Sequence, residues 1–174
     1  MTRTSAKGWL KNILITVILV TVISIAVDIW RNKDLTVSVA NHSVEKTINQ
    51  HDGDWLTLSY QQPVVLYLWA TWCPSCRFVS PSINWLQQHQ SDLNIKVFSV
   101  AIRSGDDRLL RAYMNSKEYR FPVINDQNGS ISQQLGISAT PSIIIVKSGE
   151  VFNSTTGVTT PVGLFARVMA ATYL

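Results

Sequence analysis

Two cysteines three residues apart are the side chains of this sequence best suited to chemistry. Cys73 and Cys76 lie between an apolar run, Val64–Trp69, and a segment with a helical pattern over residues 77–86. A sulfur at a helix start lies near unpaired N–H groups, which together with the helix dipole favour the thiolate. Pro74 suits the first turn because it has no N–H to lose. The pattern therefore predicts a redox dithiol, with Cys73 as the nucleophile and Cys76, one turn deeper, as the more buried resolving thiol.

A close cysteine pair can also bind a metal. A zinc site needs four ligands, but this chain has two cysteines, and its three histidines, His42, His51 and His89, show no matching spacing. Thiolates would also suit Cu(I). We predict a redox dithiol with no metal ligands and no cofactor, and a metal site or an inert pair remains the alternative.

The N-terminal residues have the composition of a membrane anchor. Residues 1–12 contain three basic side chains and no acid, and the apolar stretch from Leu10 to Ile29 is long enough, at roughly 30 Å as a helix, to cross a bilayer. Tryptophans at positions 9 and 30 bracket it as interfacial anchors. We predict a cytoplasmic tail at 1–9 and a transmembrane helix at 10–30, with the rest of the chain in an oxidising compartment.

Two other interpretations of this stretch stay open. Residues 24–26, Ser-Ile-Ala, could be a signal-peptide cleavage site, and the segment could also be a buried soluble helix. Most of the net charge of +4 comes from the basic tail, since residues 13–174 hold 12 basic and 11 acidic side chains. Without a basic stripe, nucleic-acid binding is not predicted.

Residues 31–54 are predicted to form a linker and N-terminal extension that includes an edge strand at 35–39, and residues 55–174 a folded α/β domain. In that domain strands alternate with helices and end in a hairpin and a final helix, a pattern typical of an α/β sandwich. Residues 55–58 are predicted to form a short strand or the approach to one, and further strands are predicted at 64–69, 94–102, 121–124, 142–147 and 150–154. Helices are predicted at 77–86, after a cap at 104–106, at 130–135 and from Thr160–Pro161. The helical patterns place Leu109 and Phe165 on buried faces.

The segment Trp-Ala-Thr-Trp-Cys-Pro-Ser-Cys at 69–76 resembles the active-site signature of thioredoxin-fold oxidoreductases. More closely, it is similar to the membrane-tethered, TlpA/ResA-like branch that includes the cytochrome-maturation thioredoxins and the suppressor-of-copper-sensitivity D proteins. Similarity to the latter extends to residues 101–108 and 123–126 and covers about residues 55–170. It implies a thioredoxin fold, a central mixed sheet flanked by helices, preceded here by one transmembrane helix.

The resemblance also implies an activity. It is that of a thiol–disulfide oxidoreductase in the periplasm of a bacterium, tethered to the inner membrane and acting as a reductase. Its partners would be a membrane dithiol electron transporter and periplasmic proteins with cysteines or disulfides. Reduction of apocytochrome c thiols is the alternative within this class, and a non-enzymatic copper-binding or copper-protective module is the alternative outside it.

For the site, the resemblance implies a cis Thr140–Pro141 bond facing the cysteines, with the Thr140 backbone pairing with extended substrate. A proline at the first position of a strand is the simpler interpretation of Pro141. Trp72, which precedes the nucleophile, would line the rim, and Pro74 and Ser75 would also contact substrate.

Two positions depart from the family pattern. Tyr67 stands where many thioredoxins have a buried acid, and Val79 stands where the cytochrome-maturation branch often has Glu. These departures leave the proton acceptor for Cys76 unidentified, with water and the Tyr67 hydroxyl as candidates, and favour the copper-sensitivity branch. Tyr67 and Trp69 are predicted to pack in the core.

Overall fold

The computed structural model describes residues 55–174 and four positions near the N-terminus, Asn12, Ile15, Thr16 and Leu19. These four are helical and exposed, and the Thr16 hydroxyl donates a 2.9 Å hydrogen bond to the Asn12 carbonyl. Apart from them, the predicted tail, transmembrane helix and linker lie outside the described residues. Within the described part of the chain, no helix combines the length and apolar character that crossing a bilayer requires.

Five strands form one mixed sheet in the order β3-β2-β1-β4-β5. The strands are β1 Val64–Trp69, β2 Lys96–Ile102, β3 Val123–Asp126, β4 Ser142–Lys147 and β5 Glu150–Thr156. The helices are α1 Trp55–Ser59, α2 Cys76–Gln88, α3 Asp107–Ser116, α4 Ser130–Gln134 and α5 Pro161–Tyr173. The predicted thioredoxin-like α/β fold, with helices flanking a central mixed sheet, is confirmed.

The central strand, β1, is buried along its whole length. Its side chains alternate between two hydrophobic clusters because successive residues of a strand point to opposite faces. Val65, Tyr67 and Trp69 pack on one face with residues of α2, α3 and α5. Val64, Leu66 and Leu68 pack on the other face with residues of α1 and α4. A strand covered on both faces has to be apolar throughout, as the sequence is here.

The sheet topology brings several chain segments to one edge. β1 is parallel to β2, and β2 to β3, whereas β4 runs antiparallel to β1 and pairs Ser142 with Leu68. The residues that follow β1 and β2 and the residues that precede β4 therefore lie at the same edge of the sheet. This edge holds the cysteine pair and the Thr140–Pro141 dipeptide.

Three predicted details were wrong. Residues 55–58 belong to helix α1, not to a strand: four mostly apolar residues are too few to separate a period of 2 from one of 3.6. α1 ends at Ser59, whose carbonyl and hydroxyl accept the N–H groups of Ser148 and Gly149 in the β4–β5 turn. Leu109 is 54% exposed and Phe165 is 40% exposed, so neither lies on a buried face.

Candidate active site

The loop after β1 is held by the neighbouring loop after β2. The Thr71 N–H donates to the Ser104 hydroxyl at 3.0 Å, and that hydroxyl donates to the Ile102 carbonyl at 3.1 Å. The Cys73 N–H then turns back to the Ala70 carbonyl at 3.2 Å. Ser104, predicted to be part of the α3 cap, instead fixes the loop that carries the cysteines. The α3 cap is Asp106, whose carboxylate accepts the Leu109 N–H at 2.8 Å.

Cys73 and Cys76 are joined in a disulfide, with their Cα atoms 5.4 Å apart. α2 begins at Cys76, and its N-cap, Ser75, contributes no side-chain capping bond. Instead the Cys76 N–H points at the Cys73 sulfur, 3.1 Å away. The sulfur thus accepts one of the N–H groups at the helix start that have no partner within the helix. Because the first turn of α2 carries no acidic residue, no carboxylate there opposes a negative sulfur.

Exposure does not separate the two cysteines in this disulfide. Cys73 is 4% exposed and Cys76 is 2% exposed, a difference too small to decide which sulfur a substrate meets. The hydrogen bond does distinguish them, because a helix N–H points at the sulfur of Cys73. After reduction this donor favours the thiolate form of Cys73.

The Thr140–Pro141 peptide bond is cis, as the resemblance implied. Pro141 is buried and Thr140 is half-buried. The Pro141 carbonyl accepts the Gly157 N–H at 2.8 Å, whereas neither the N–H nor the carbonyl of Thr140 is hydrogen-bonded to another described residue. Thr140 therefore presents an unpaired backbone at the sheet edge where β1 ends.

Trp72, which we predict to line the rim of the site, directly precedes Cys73. The residue is 60% exposed, and its Nε1–H donates to the Arg103 carbonyl at 3.1 Å. This bond fixes the ring although most of its surface faces solvent. A groove of about 460 Å³ runs beside it and is bordered by Arg103 and Thr140 among other residues.

Beneath the disulfide, Tyr67 packs in the core, as predicted, and its hydroxyl donates to the Cys76 carbonyl at 3.3 Å. The Ser80 hydroxyl lies 3.0 Å from the same phenol oxygen. Burial raises the pKa of Tyr67 far above its ordinary value, so the phenol stays neutral at physiological pH. Burial also raises the pKa of Tyr119. The Tyr67 hydroxyl thus contacts the backbone of Cys76 and holds its own proton.

Acidic side chains are scarce inside this domain. Val79 is buried in the core cluster that contains both cysteines. Among the described residues, Asp126 is the one buried carboxylate. Its two oxygens accept the N–H groups of Ile131 and Ser132, at 3.2 and 2.9 Å, and so cap the start of α4. Both carboxylate oxygens of Asp126 are therefore engaged at the start of α4.

Metal ligands do not gather around the cysteines in the part of the chain that the structure describes. No group of three or more His, Cys, Asp or Glu side chains occurs within those residues. His89 stacks on Trp85 with ring centroids 4.2 Å apart, and its Nδ1 lies 2.9 Å from the Trp85 carbonyl. His42 and His51 fall outside the described residues.

Sequence reasoning missed the contributions of three residues around the site. Ser80 lies one turn after Cys76 on α2, and this spacing could have placed its hydroxyl below the resolving cysteine. Ser104 and Arg103 directly follow β2, the parallel neighbour of β1, so both could have been placed beside the loop that follows β1. Their roles depend on individual hydrogen bonds, which no sequence pattern specifies.

The chain is similar in sequence and in fold to known thioredoxin-like proteins. A model of the AhpC/TSA family matches residues 39–154. The "Thioredoxin-like protein" of Haemophilus influenzae is 35% identical over 117 residues, which cover 67% of this chain and 68% of that protein. The "Thiol-disulfide oxidoreductase ResA" of Oceanobacillus iheyensis is 26% identical over 51% of this chain and 46% of its own length. The solved structure of dsbF from MTB aligns with a TM-score of 0.65 at 26% identity, covering 79% of this chain and all of that one.

Proposed function

The chain belongs to the AhpC/TSA family and is a thioredoxin-like thiol–disulfide oxidoreductase, and on this premise we propose that it reduces disulfides of other proteins through Cys73 and Cys76. The observation that carries the proposal is the 3.1 Å contact from the Cys76 N–H to the Cys73 sulfur at the start of α2. A thiolate formed there gains a hydrogen bond and the helix dipole.

The reaction follows from this arrangement. In the reduced protein the Cys73 thiolate attacks one sulfur of a substrate disulfide, a Cys73–substrate bond forms, and the other substrate sulfur leaves as a thiolate that takes a proton from water. Cys76 gives its proton to solvent and attacks the Cys73 sulfur. The Cys73–Cys76 disulfide forms, and the second substrate sulfur leaves and is protonated. Two electrons and two protons have then passed to the substrate.

We assign substrate contact to the groups around the disulfide. Extended substrate would pair with the free backbone of Thr140, next to Pro141, as a short added strand. The exposed ring of Trp72 would flank it. Pro74 and Ser75 would border the reacting sulfur from the α2 side.

The return of electrons requires a dithiol donor, since each turnover leaves the protein as a disulfide. We propose that a membrane dithiol electron transporter supplies them and that the protein faces the bacterial periplasm. In this proposal residues 1–9 are cytoplasmic, 10–30 anchor the chain in the inner membrane, 31–54 form a linker, and 55–174 carry the activity. The basic tail and the apolar stretch support this arrangement.

Within the tethered branch we favour the suppressor-of-copper-sensitivity D proteins, and with them a role in copper tolerance. The support is the absence of an acid at Val79 and Tyr67, both buried in the core. Apocytochrome c remains the alternative substrate, and a Cu(I)-binding module without exchange activity is the alternative outside the enzyme class.

Two cysteine variants of the full chain test the proposal. We expect the reduced wild type to turn over a model protein disulfide and Cys73→Ser to lose this activity. Cys76→Ser should accumulate mixed disulfides through Cys73 in cells lysed with a thiol-blocking reagent, because the resolving attack is missing. The Cys73→Ser/Cys76→Ser variant is the control and should trap none. A stoichiometric Cu(I) complex in a wild-type protein that shows no disulfide turnover would contradict the proposal.

A further inference from the structure

The groove beside Trp72 contains a basic side chain, that of Arg103. It is bordered by Trp72, Arg103, Gly129, Gln133, Ser138 and Thr140 among others, and we call it the Arg103 groove. Trp72 directly precedes the nucleophile, and Thr140 carries its unpaired backbone at the same edge of the sheet. A polypeptide bound at Thr140 with its cysteine at Cys73 therefore has the Arg103 groove next to it.

The backbone of Arg103 is fixed in an uncommon conformation. Its φ is +45°, in the left-handed region that side chains other than glycine rarely adopt. Its N–H donates to the Asp126 carbonyl at 2.9 Å, and its carbonyl accepts the Trp72 indole N–H at 3.1 Å. Such positions persist where surrounding contacts enforce them, and they are enriched at functional sites.

The guanidinium of Arg103 is held in place by contacts with Asn128 and Gly129. Its Nε lies 3.4 Å from the Asn128 carbonyl, and the group passes so close to Gly129 that a Cβ on Gly129 would lie 2.9 Å from Nε. A guanidinium has five N–H donors, and the contact with Asn128 uses one of them. Within residues 55–174 no carboxylate forms an ion pair with this exposed side chain.

We propose that the Arg103 groove binds the substrate residues next to the reacting cysteine and that Arg103 pairs with a carboxylate side chain there. The protein thereby prefers substrates with Asp or Glu close to the cysteine. This inference rests on the proposed function and adds the substrate class. Two observations select this occupant: the groove is bordered by Trp72, the residue before Cys73, and by Thr140, and its charged donor is a guanidinium, whose planar fork matches a carboxylate.

Three synthetic peptide disulfides test the inference. They are identical except that the residues flanking the cysteine are Glu, Gln or Lys. Each is offered to the reduced full chain as wild type, as Arg103→Gln and as Arg103→Glu, and the second-order reduction rates are measured. The result is the Glu-to-Lys rate ratio within each variant, so any general effect on the enzyme and the intrinsic effect of charge on the peptide thiol cancel between variants.

We expect the wild-type ratio to exceed that of Arg103→Gln by about two- to twenty-fold, since one exposed attraction and one exposed repulsion are both removed. Arg103→Glu should invert the preference, and the wild-type preference should shrink in high salt. Arg120→Gln is the matched control, because Arg120 precedes β3 and so lies at the opposite end of the sheet. It should keep the wild-type ratio.

A small neutral disulfide, bis(2-hydroxyethyl) disulfide, distinguishes failure of the Arg103 assignment from failure of the proposed reductase function. If the wild type reduces it and Arg103→Gln has the same Glu-to-Lys ratio as wild type, the inference is wrong and the proposed function stands. If the wild type reduces neither this compound nor any peptide, the proposed function itself is wrong. An equal loss of preference in Arg120→Gln would also overturn the assignment to Arg103.

Discussion

The hydroxyl contacts beneath the resolving cysteine allow a quantitative prediction. Tyr67→Phe removes a buried hydroxyl that bonds to Ser80 at 3.0 Å and to the Cys76 carbonyl at 3.3 Å. The Cys76 carbonyl still belongs to the first turn of α2, and the Ser80 hydroxyl loses its contact with the phenol oxygen. We therefore expect the free energy of unfolding to fall by about 1 kcal/mol, the usual net value of one hydrogen bond.

Ser80→Ala should cost about as much as Tyr67→Phe, about 1 kcal/mol, because it removes the same buried contact with the phenol oxygen. In the Tyr67→Phe/Ser80→Ala variant both partners of this hydrogen bond are replaced by apolar groups. The loss in the free energy of unfolding should therefore be smaller, by about 1 kcal/mol, than the sum of the losses in the two single variants. Each kcal/mol corresponds to a change in Tm of about 2–4 °C for a chain of this size.

Urea unfolding at pH 7 with the disulfide intact measures these values. Tyr173→Phe is the control, because Tyr173 is exposed and should change stability by less than about 0.5 kcal/mol. If the losses of the two single variants add to that of the double variant within about 0.3 kcal/mol, the hydroxyls do not interact and the reasoning is refuted.

Three further predictions concern stability. Because burial raises the pKa of Tyr67 above its ordinary value of 10.0, the folded state keeps a proton that the unfolded state loses. Stability should therefore fall as pH rises above about 10, by up to about 1.4 kcal/mol per pH unit from this group, and Tyr67→Phe should fall less steeply in urea titrations; parallel curves would contradict this. Ser104→Ala leaves the Thr71 N–H without its acceptor and should cost about 1 kcal/mol in urea unfolding, whereas an unchanged midpoint would show that this bond is dispensable. Asp126→Asn removes the charge and one of two acceptors at the start of α4 and should lower the Tm by about 2–6 °C, and an unchanged Tm would rule out the capping role.

Much of the fold could be predicted because the strongest signals are local and long. The run Val64–Trp69 is apolar at every position, which a strand covered on both faces requires. The cysteine pair that follows this strand indicated both the redox chemistry and the resemblance to thioredoxin-fold oxidoreductases. Short or weakly periodic segments were predicted wrongly. Helix α1 is an example, because its five residues make little more than one helical turn.

The details of the site could not be predicted in the same way. Ser104 lies close to the α3 cap in sequence, but its hydroxyl accepts an N–H from the loop after β1. Arg103 adopts a positive φ because contacts from β3 and from Trp72 hold it there. Both features depend on which parallel strand lies beside which. That is a property of the sheet order, which a residue's own neighbours in sequence do not encode.

The central claim is that the start of α2 makes Cys73 an ionised nucleophile, and its rate of alkylation tests this most directly. Iodoacetamide modification of Cys73 is followed from pH 4 to pH 10 in the reduced Cys76→Ser variant, with free cysteine measured in parallel. We predict that the rate reaches half of its maximum clearly below the pH of about 8.5 that is typical of a free thiol. A midpoint at or above that of free cysteine, with no excess reactivity at neutral pH, would contradict the claim.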